Sequence, residues 1–308
     1  MTDAFPQTEP QRKLDAVLAV PGDASISAIT RPFRIGMPHL ALGGLSENWL
    51  LKECGHRHWT LLATKLGLAT TDFRDADGDR LYAAFTAVRI GAAHLENVKE
   101  GDELRLRTSL ARVSRTQWLS SHAVVCNDQA LARVTMGSVF LRRNVVGSNR
   151  HVERAVLPAA AAWAIGTLDG ADLLENARSL RSQNWQRHVG FDRASADELA
   201  DFTFRPCPYS DLNGADFLYF ASFQSIVDRA EWQWTQKVRS PLATKRREIF
   251  YYGNIDVGDS VRIVLRAKRP NTDGFSGRKV SHWCQIYRIG DERLIADVFT
   301  DKAPQTRR

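Results

Sequence analysis

The chain has 308 residues, of which 44% are hydrophobic and 25% charged, with a net charge of +7. This excludes the disordered and fibrous classes and leaves room for one large core or two domains of about 150 residues each. The basic balance, with a pI near 9.4, admits an acidic partner such as coenzyme A phosphates or an acidic carrier protein. No helix-turn-helix, zinc-finger or aromatic RNA-binding signature accompanies it, which argues against nucleic acid.

Residues 1–30 begin with a polar, Pro- and Gln-containing lead, expected to be mobile. It has no apolar signal region, and no later run reaches the length of a membrane span. The first unit is expected over 31–145. Gly43 and Gly44 mark a turn, Ser46 is placed as an N-cap, and Trp49, Leu50, Cys54, Leu61 and Leu62 follow helical spacing. Gly55, inside that pattern, marks a bend or a close approach by another backbone. After a polar loop come four alternating runs, LYAAFTAVRIG, DELRLRTSLARVS, QWLSSHAVVC and QALARVTMGSVFLRR, separated by turn residues. A helix followed by antiparallel strands resembles the hotdog fold.

Residues 146–200 read as a connecting segment packed on one or both halves, and 201–308 as a second unit. Pro208 and Gly214 stand at the same offset from Pro38 and Gly44, which sets Tyr219 opposite Trp49. Val257-Gly258-Asp259 then parallels Glu100-Gly101-Asp102, and Ser281-His282 parallels Ser121-His122. Their shared order argues for an internal duplication, hence an α+β double hotdog. The four cysteines lack any C-x-x-C spacing, so no zinc site or disulfide framework is indicated and a reduced, cytoplasmic setting is expected.

The stretch Pro208 to Trp232 carries the strongest chemistry: a polar turn feeding an amphipathic helix patterned on Phe217, Phe220, Ala221 and Val227. Asp211, Asn213 and Tyr219 resemble the D-x-N-x-x-x-x-x-Y pattern at the helix entrance of hotdog acyl-CoA thioesterases, which implies a carboxylate acting as general base or nucleophile toward a thioester, with amides near Gly214 as oxyanion donors. Asp211 and Asn213 equally suit turn and cap roles. At the first helix entrance the counterparts of Asp211 and Asn213 are Ala41 and Gly43, and the polar candidates are His39, Ser46, Glu47, Asn48, His56 and His58. Glu47 reads as a base or as an acid in a first helical turn; the H-R-H spacing puts its histidines on different faces, against a metal site. Tyr82 opens the first long strand, where its hydroxyl can meet an acyl carbonyl or simply pack. Lys245, Arg246 and Arg247, and the run Arg266 to Arg269, suit phosphate or a solvated face.

MPHLALGGLSENWLLKECGHRHW and SDLNGADFLYFASF together resemble the double-hotdog biosynthetic proteins of the leinamycin-pathway bifunctional acyltransferase/decarboxylase type, over about residues 31–303. The resemblance implies a role in polyketide or mixed polyketide/nonribosomal peptide assembly. A malonyl- or methylmalonyl-type group would pass from acyl-CoA to an acyl carrier protein with decarboxylation, and Tyr82 would be the counterpart of a proposed acyl-accepting tyrosine. No metal or organic cofactor is implied beyond coenzyme A or phosphopantetheine as acyl carrier. Thioester hydrolysis, a dehydratase-like reaction and a non-catalytic carrier-binding module stand as alternatives, and a homodimer of pseudo-dimers is left open.

Overall fold

The computed structural model describes residues 17–18, 25–29, 32–235, 242–271 and 279–305. The first unit consists of strand β1 (Ser25–Ile29), helix α1 (Glu47–Lys65), and strands β2 (Arg80–Gly91), β3 (Glu103–Arg112), β4 (Gln117–Cys126) and β5 (Gln129–Arg143). A connecting segment carries helix α2 (Asp172–Arg181). The second unit has strand β6 (Ala200–Phe204), helix α3 (Phe220–Thr235) and strands β7 (Leu242–Tyr251), β8 (Val261–Asn271), β9 (Lys279–Arg288) and β10 (Arg293–Pro304). One helix and a set of antiparallel strands thus occur twice, as the duplication predicts.

The two units share one continuous antiparallel sheet in the order β1–β3–β4–β5–β2–β7–β10–β9–β8–β6. The join is β2 against β7, with Arg247 opposite Ile90 and Phe250 opposite Ala87. Along β2 the alternation of the sequence buries Val88 and Ile90 on the helix side, while Ala87 packs beneath α2 on the other. A single core runs through both units: Leu50, Leu51 and Cys54 of α1 meet Phe220, Ile226 and Val227 of α3 within it. No described helix is long and apolar enough to cross a membrane.

Several local expectations change. β1 pairs with β3 from Ser25 opposite Ala111 to Ile29 opposite Arg107, so ordered strand occurs within the lead expected to be mobile; most of that lead lies outside the described residues. Gly55 does not bend α1. It lets the Phe220 ring approach, because a Cβ there would lie 2.7 Å from Phe220 Cζ. α3 starts at Phe220, so Phe217 lies in the preceding turn and Tyr219 stands directly before the helix, at the place of the N-cap Ser46. The connecting segment belongs to both halves. Leu173 and Leu180 of α2 pack in one cluster with Ala87 of the first unit and Phe250, Trp283 and Phe299 of the second.

Candidate functional site

Beyond Ala87 and Phe250 the joined strands β2 and β7 part, and a cavity of about 840 Å³ fills the gap. A register shift between Gly137 and Ser138 of β5, opposite this stretch of β2, accompanies the divergence. Gly137 has no room for a side chain: a Cβ would lie 2.2 Å from Leu174 Cδ2 of α2. The chamber floor is apolar, with Trp59 of α1, Phe85 of β2 and Phe220 and Phe223 of α3. Its polar lining includes Tyr82, Asn213, Tyr219, Lys52 and six arginines. It contains no Asp, Glu, His or Cys among the described residues.

Tyr82 stands on β2, half-buried, with the Phe217 ring edge-on at 5.0 Å between centroids. Arg143 Nη1 donates to Tyr82 Oη at 3.1 Å. Because the guanidinium occupies an acceptor position, the phenolic hydrogen stays free to point elsewhere. Arg143 also donates to Asn149 Oδ1 at 2.6 Å and to the Ala215 carbonyl. Asn149, 2% exposed, passes the connection on by donating to the carbonyls of Asp216 at 2.7 Å and Ile255 at 2.8 Å. The end of the first unit therefore fixes the helix entrance of the second. Neither Arg143 nor Asn149 stands out in the sequence; Arg143 ends a strand run and Asn149 lies in the loop that follows it, where polar residues are ordinary.

At the second helix entrance, Asp211 is 8% exposed and its carboxylate accepts the Cys207 N–H at 2.8 Å. Its carbonyl accepts the Tyr219 N–H at 2.9 Å and the Ser222 hydroxyl at 2.8 Å. Asn213 Oδ1 accepts from the amides of Ala215 and Phe217 at 3.0 and 3.2 Å. Both side chains close the turn, which is the structural role that such residues commonly take. The amides of Asn213, Ala215, Asp216 and Phe217 are all taken within the loop, leaving the Gly214 N–H without a partner among the described residues. Burial pushes the Tyr219 hydroxyl up to about 12, so it meets the chamber as a neutral phenol. Lys52 Nζ lies 5.6 Å from its ring centroid.

The first helix entrance is a different place, outside the chamber lining. Ser46 caps α1 by accepting from the Trp49 N–H at 3.2 Å. His39 Nδ1 accepts the Gly36 N–H at 2.8 Å and its ring packs on Trp49. Gly44 has φ +107° and a Cβ there would lie 2.2 Å from the Leu95 carbonyl oxygen, so glycine is required; Gly43 shares this turn. These residues shape the entrance and do not join Tyr82.

Glu47 and the basic run are joined in a buried ionic network. Arg247, 1% exposed, reaches Glu47 Oε1 at 2.7 Å and Asp228 Oδ1 at 2.8 Å. Lys302 Nζ reaches Glu231 Oε2 at 2.5 Å and Asp228 at 3.3 Å, and His282 Nε2 lies 3.5 Å from Glu231. Burial pushes the Glu47 carboxyl up; it also opposes ionisation of Asp228, but Arg247 and Lys302 outweigh it there and hold Asp228 below the usual range. Lys245 pairs with Glu96 and Arg246 with Glu248. The expectation that Lys245, Arg246 and Arg247 present free charge to phosphate therefore fails: each guanidinium or ammonium is already committed to a carboxylate. Glu47 is likewise committed to Arg247 instead of facing the chamber. His58, fully buried, bonds Ser120 and Ser138 through its two ring nitrogens, both at 2.7 Å.

No protein-family model and no curated protein matches this chain. Solved structures do. A 12:0-ACP thioesterase from Umbellularia californica shares 12% identity over 91% of this chain and 94% of its own, with a TM-score of 0.60. An acyl-ACP thioesterase from Bacteroides thetaiotaomicron shares 13% identity over 90% of this chain and 97% of its own, with a TM-score of 0.55. At such low identity the likeness concerns architecture, and with the two helix-and-sheet units above it establishes that this chain has the double hotdog fold.

Proposed function

We propose that this chain is an acyl-thioester enzyme whose working site is the chamber between the two units, with Tyr82 as the hydroxyl that meets the acyl group. The observation that carries this reading is the lining itself. A tyrosine hydroxyl with its hydrogen free, a second neutral phenol at Tyr219 and the open Gly214 amide converge on an apolar floor, without a carboxylate or imidazole among the described residues. Such donors stabilise negative charge on a thioester oxygen, and the lining offers no side-chain base for water.

The reaction that suits this inventory is the one the family resemblance implies. In a malonyl-type thioester the bond from the α-carbon to the carboxylate breaks, CO₂ leaves, and the electron pair becomes an enolate held at the donors. A proton from a phenol, replaced from water, returns to carbon. The thiol of an acyl carrier protein then attacks the carbonyl and coenzyme A leaves as its thiol. No metal or organic cofactor enters this scheme. The assignment is tested by incubating malonyl- and methylmalonyl-CoA with the phosphopantetheinylated carrier protein and following CO₂ and acyl-carrier by mass spectrometry. Tyr82→Phe should slow turnover by about a hundredfold while the protein stays folded; wild-type rates in that variant would remove Tyr82 from the chemistry.

Hydrolysis is the second reading, favoured by the fold shared with acyl-ACP thioesterases. Its mark in the same experiment is free acid in place of acyl-carrier.

A further inference from the structure

Three arginines at the chamber differ from their neighbours in having no anionic partner. Arg150 is paired with Asp259 at 2.6 Å, and Arg288 with Asp291. Arg154, Arg181 and Arg293 have no carboxylate partner among the described residues, although all three line the chamber. They come from three separate places: Arg154 from the short strand Val152–Ala155, Arg181 from the last residue of α2 and Arg293 from the first residue of β10. Arg181 is held in place by donating to the Tyr251 carbonyl at 2.6 Å. The packing around its guanidinium and then the nearby Arg154 and Arg293 charges press Arg181 below the usual arginine value. Like charges gathered without counter-charge destabilise a fold unless a ligand neutralises them.

Their position relative to Tyr82 follows from strand register. Leu141 of β5 stands opposite Tyr82 on one side and opposite Arg154 on the other. The three side chains therefore share one face of the sheet, with Arg154 two strand spacings, or about 10 Å, from Tyr82. Arg154 and Arg293 are exposed, whereas Phe220 and Phe223 on the floor are buried. The chamber thus has an apolar end and a cationic, solvent-facing end, with Tyr82 between strands that contribute to both.

We propose that Arg154, Arg181 and Arg293 form a phosphate seat that receives the phosphorylated thiol carrier of the substrate, while the acyl group occupies the apolar end. This rests on the acyl-thioester reading of the chamber. Three guanidiniums suit phosphate oxygens through paired N–H donors. They suit a departing carboxylate poorly, because tight ion pairing holds that group in its ground state instead of favouring its loss. The phosphate could be supplied by coenzyme A or by the phosphopantetheine arm of a carrier protein, and the two share this chemistry.

The test is binding of three non-reactive dodecyl thioethers, of pantetheine, of 4′-phosphopantetheine and of coenzyme A, to the full chain by calorimetry at low salt. Wild-type protein should prefer the phosphopantetheine compound over the pantetheine compound by about tenfold or more. The double substitution Arg154→Gln/Arg293→Gln, at exposed positions, should erase that preference and leave pantetheine binding unchanged. Arg181→Lys, which keeps the charge, should retain part of it. A further gain for the coenzyme A compound that the double substitution also removes assigns the nucleotide phosphates to the same seat; equal binding of the two phosphorylated compounds assigns the seat to the arm phosphate. Equal wild-type affinity for pantetheine and phosphopantetheine compounds, or a preference that survives the double substitution, overturns the seat while leaving the chamber reading intact. Failure of all three compounds to bind removes the chamber reading and the seat with it.

Discussion

Arg143 holds Tyr82 from two directions: its Nη1 donates to the phenolic oxygen at 3.1 Å, and its guanidinium carbon lies 4.9 Å from the centre of the Tyr82 ring. The same guanidinium stands 4.3 Å from the Phe217 ring and bonds Asn149. Arg143→Lys keeps a charge but cannot span these partners. Turnover should fall about tenfold or more, and the helix entrance should loosen, with a cost on the order of 1–3 kcal/mol read by urea unfolding. Unchanged kcat in a folded variant would detach Arg143 from the site.

Asp211 separates turn from catalyst. Its carboxylate accepts the Cys207 N–H, an interaction that an amide oxygen can replace. Asp211→Asn should keep activity within about threefold, and Asp211→Ala should cost about 1 kcal/mol of stability. Loss of all activity in Asp211→Asn at unchanged stability would favour the hydrolytic reading.

The ionic network around Arg247 should behave as a buried unit. Arg247→Met leaves Glu47 without its cation and Asp228 with Lys302 alone, and should cost about 3–5 kcal/mol, whereas replacing all three by neutral residues should cost less. Melting temperatures of the two variants check the order. If the single substitution is the milder one, the network is not acting as a unit.

Buried histidines set an acid sensitivity. Burial lowers the His58 imidazole to about 3 and holds His122 well below its ordinary value, first by desolvation and then through His58 and Arg57. An unfolded chain protonates its histidines below about pH 6.5 while these two stay neutral in the fold. Stability should therefore fall as pH drops from about 6.5, at about 1.4 kcal/mol per pH unit for each group. Glu248 adds its own loss at lower pH. Burial opposes its ionisation, but the His188 hydrogen bond, Arg89 and Arg246 outweigh that and hold it at about 2, so its contribution fades only below about pH 4.5. Urea midpoints from pH 7 to 5 should decline, and His58→Gln should flatten the slope. An unaltered slope in that variant would assign the sensitivity elsewhere.

Gly55 links the two helices to the chamber. A methyl group there would lie 2.7 Å from Phe220, whose ring also forms the chamber floor. Alanine favours a helix by about 1 kcal/mol, yet overpacking of this contact should outweigh that and give a net loss of about 1–2 kcal/mol. Binding of long acyl thioethers should weaken in parallel. A stabilised Gly55→Ala protein with unchanged binding would show that the Phe220 ring moves freely.

The repeated architecture was legible because local signals recur. Turn residues at Gly101 and Gly258 and the alternating strand runs depend on near neighbours in sequence, and so did the Ser46 cap. The site was less legible because its contacts are remote. Nothing near Arg247 in sequence reveals Glu47 or Asp228 as partners, and this made a buried ion pair read as a surface phosphate site. Arg154, Arg181 and Arg293 are unremarkable singly, since only the fold gathers a connecting strand, a helix end and a strand start at one opening. In the sequence Asp211 and Asn213 read equally as catalyst and as turn, because both roles use the same short polar side chains; the structure has both closing the turn.

The placement of α2 across both units has a consequence for how the chamber holds together at low protein concentration. Leu173 and Leu180 bury themselves against strands of both halves, and the backbone joins those halves besides. Two separate hotdog subunits would lose a shared cleft on dilution, as association is a matter of mass action. Here the partner is tethered at an effective concentration that dilution does not alter. The chamber therefore stays assembled in a cell that makes only a few copies of the protein.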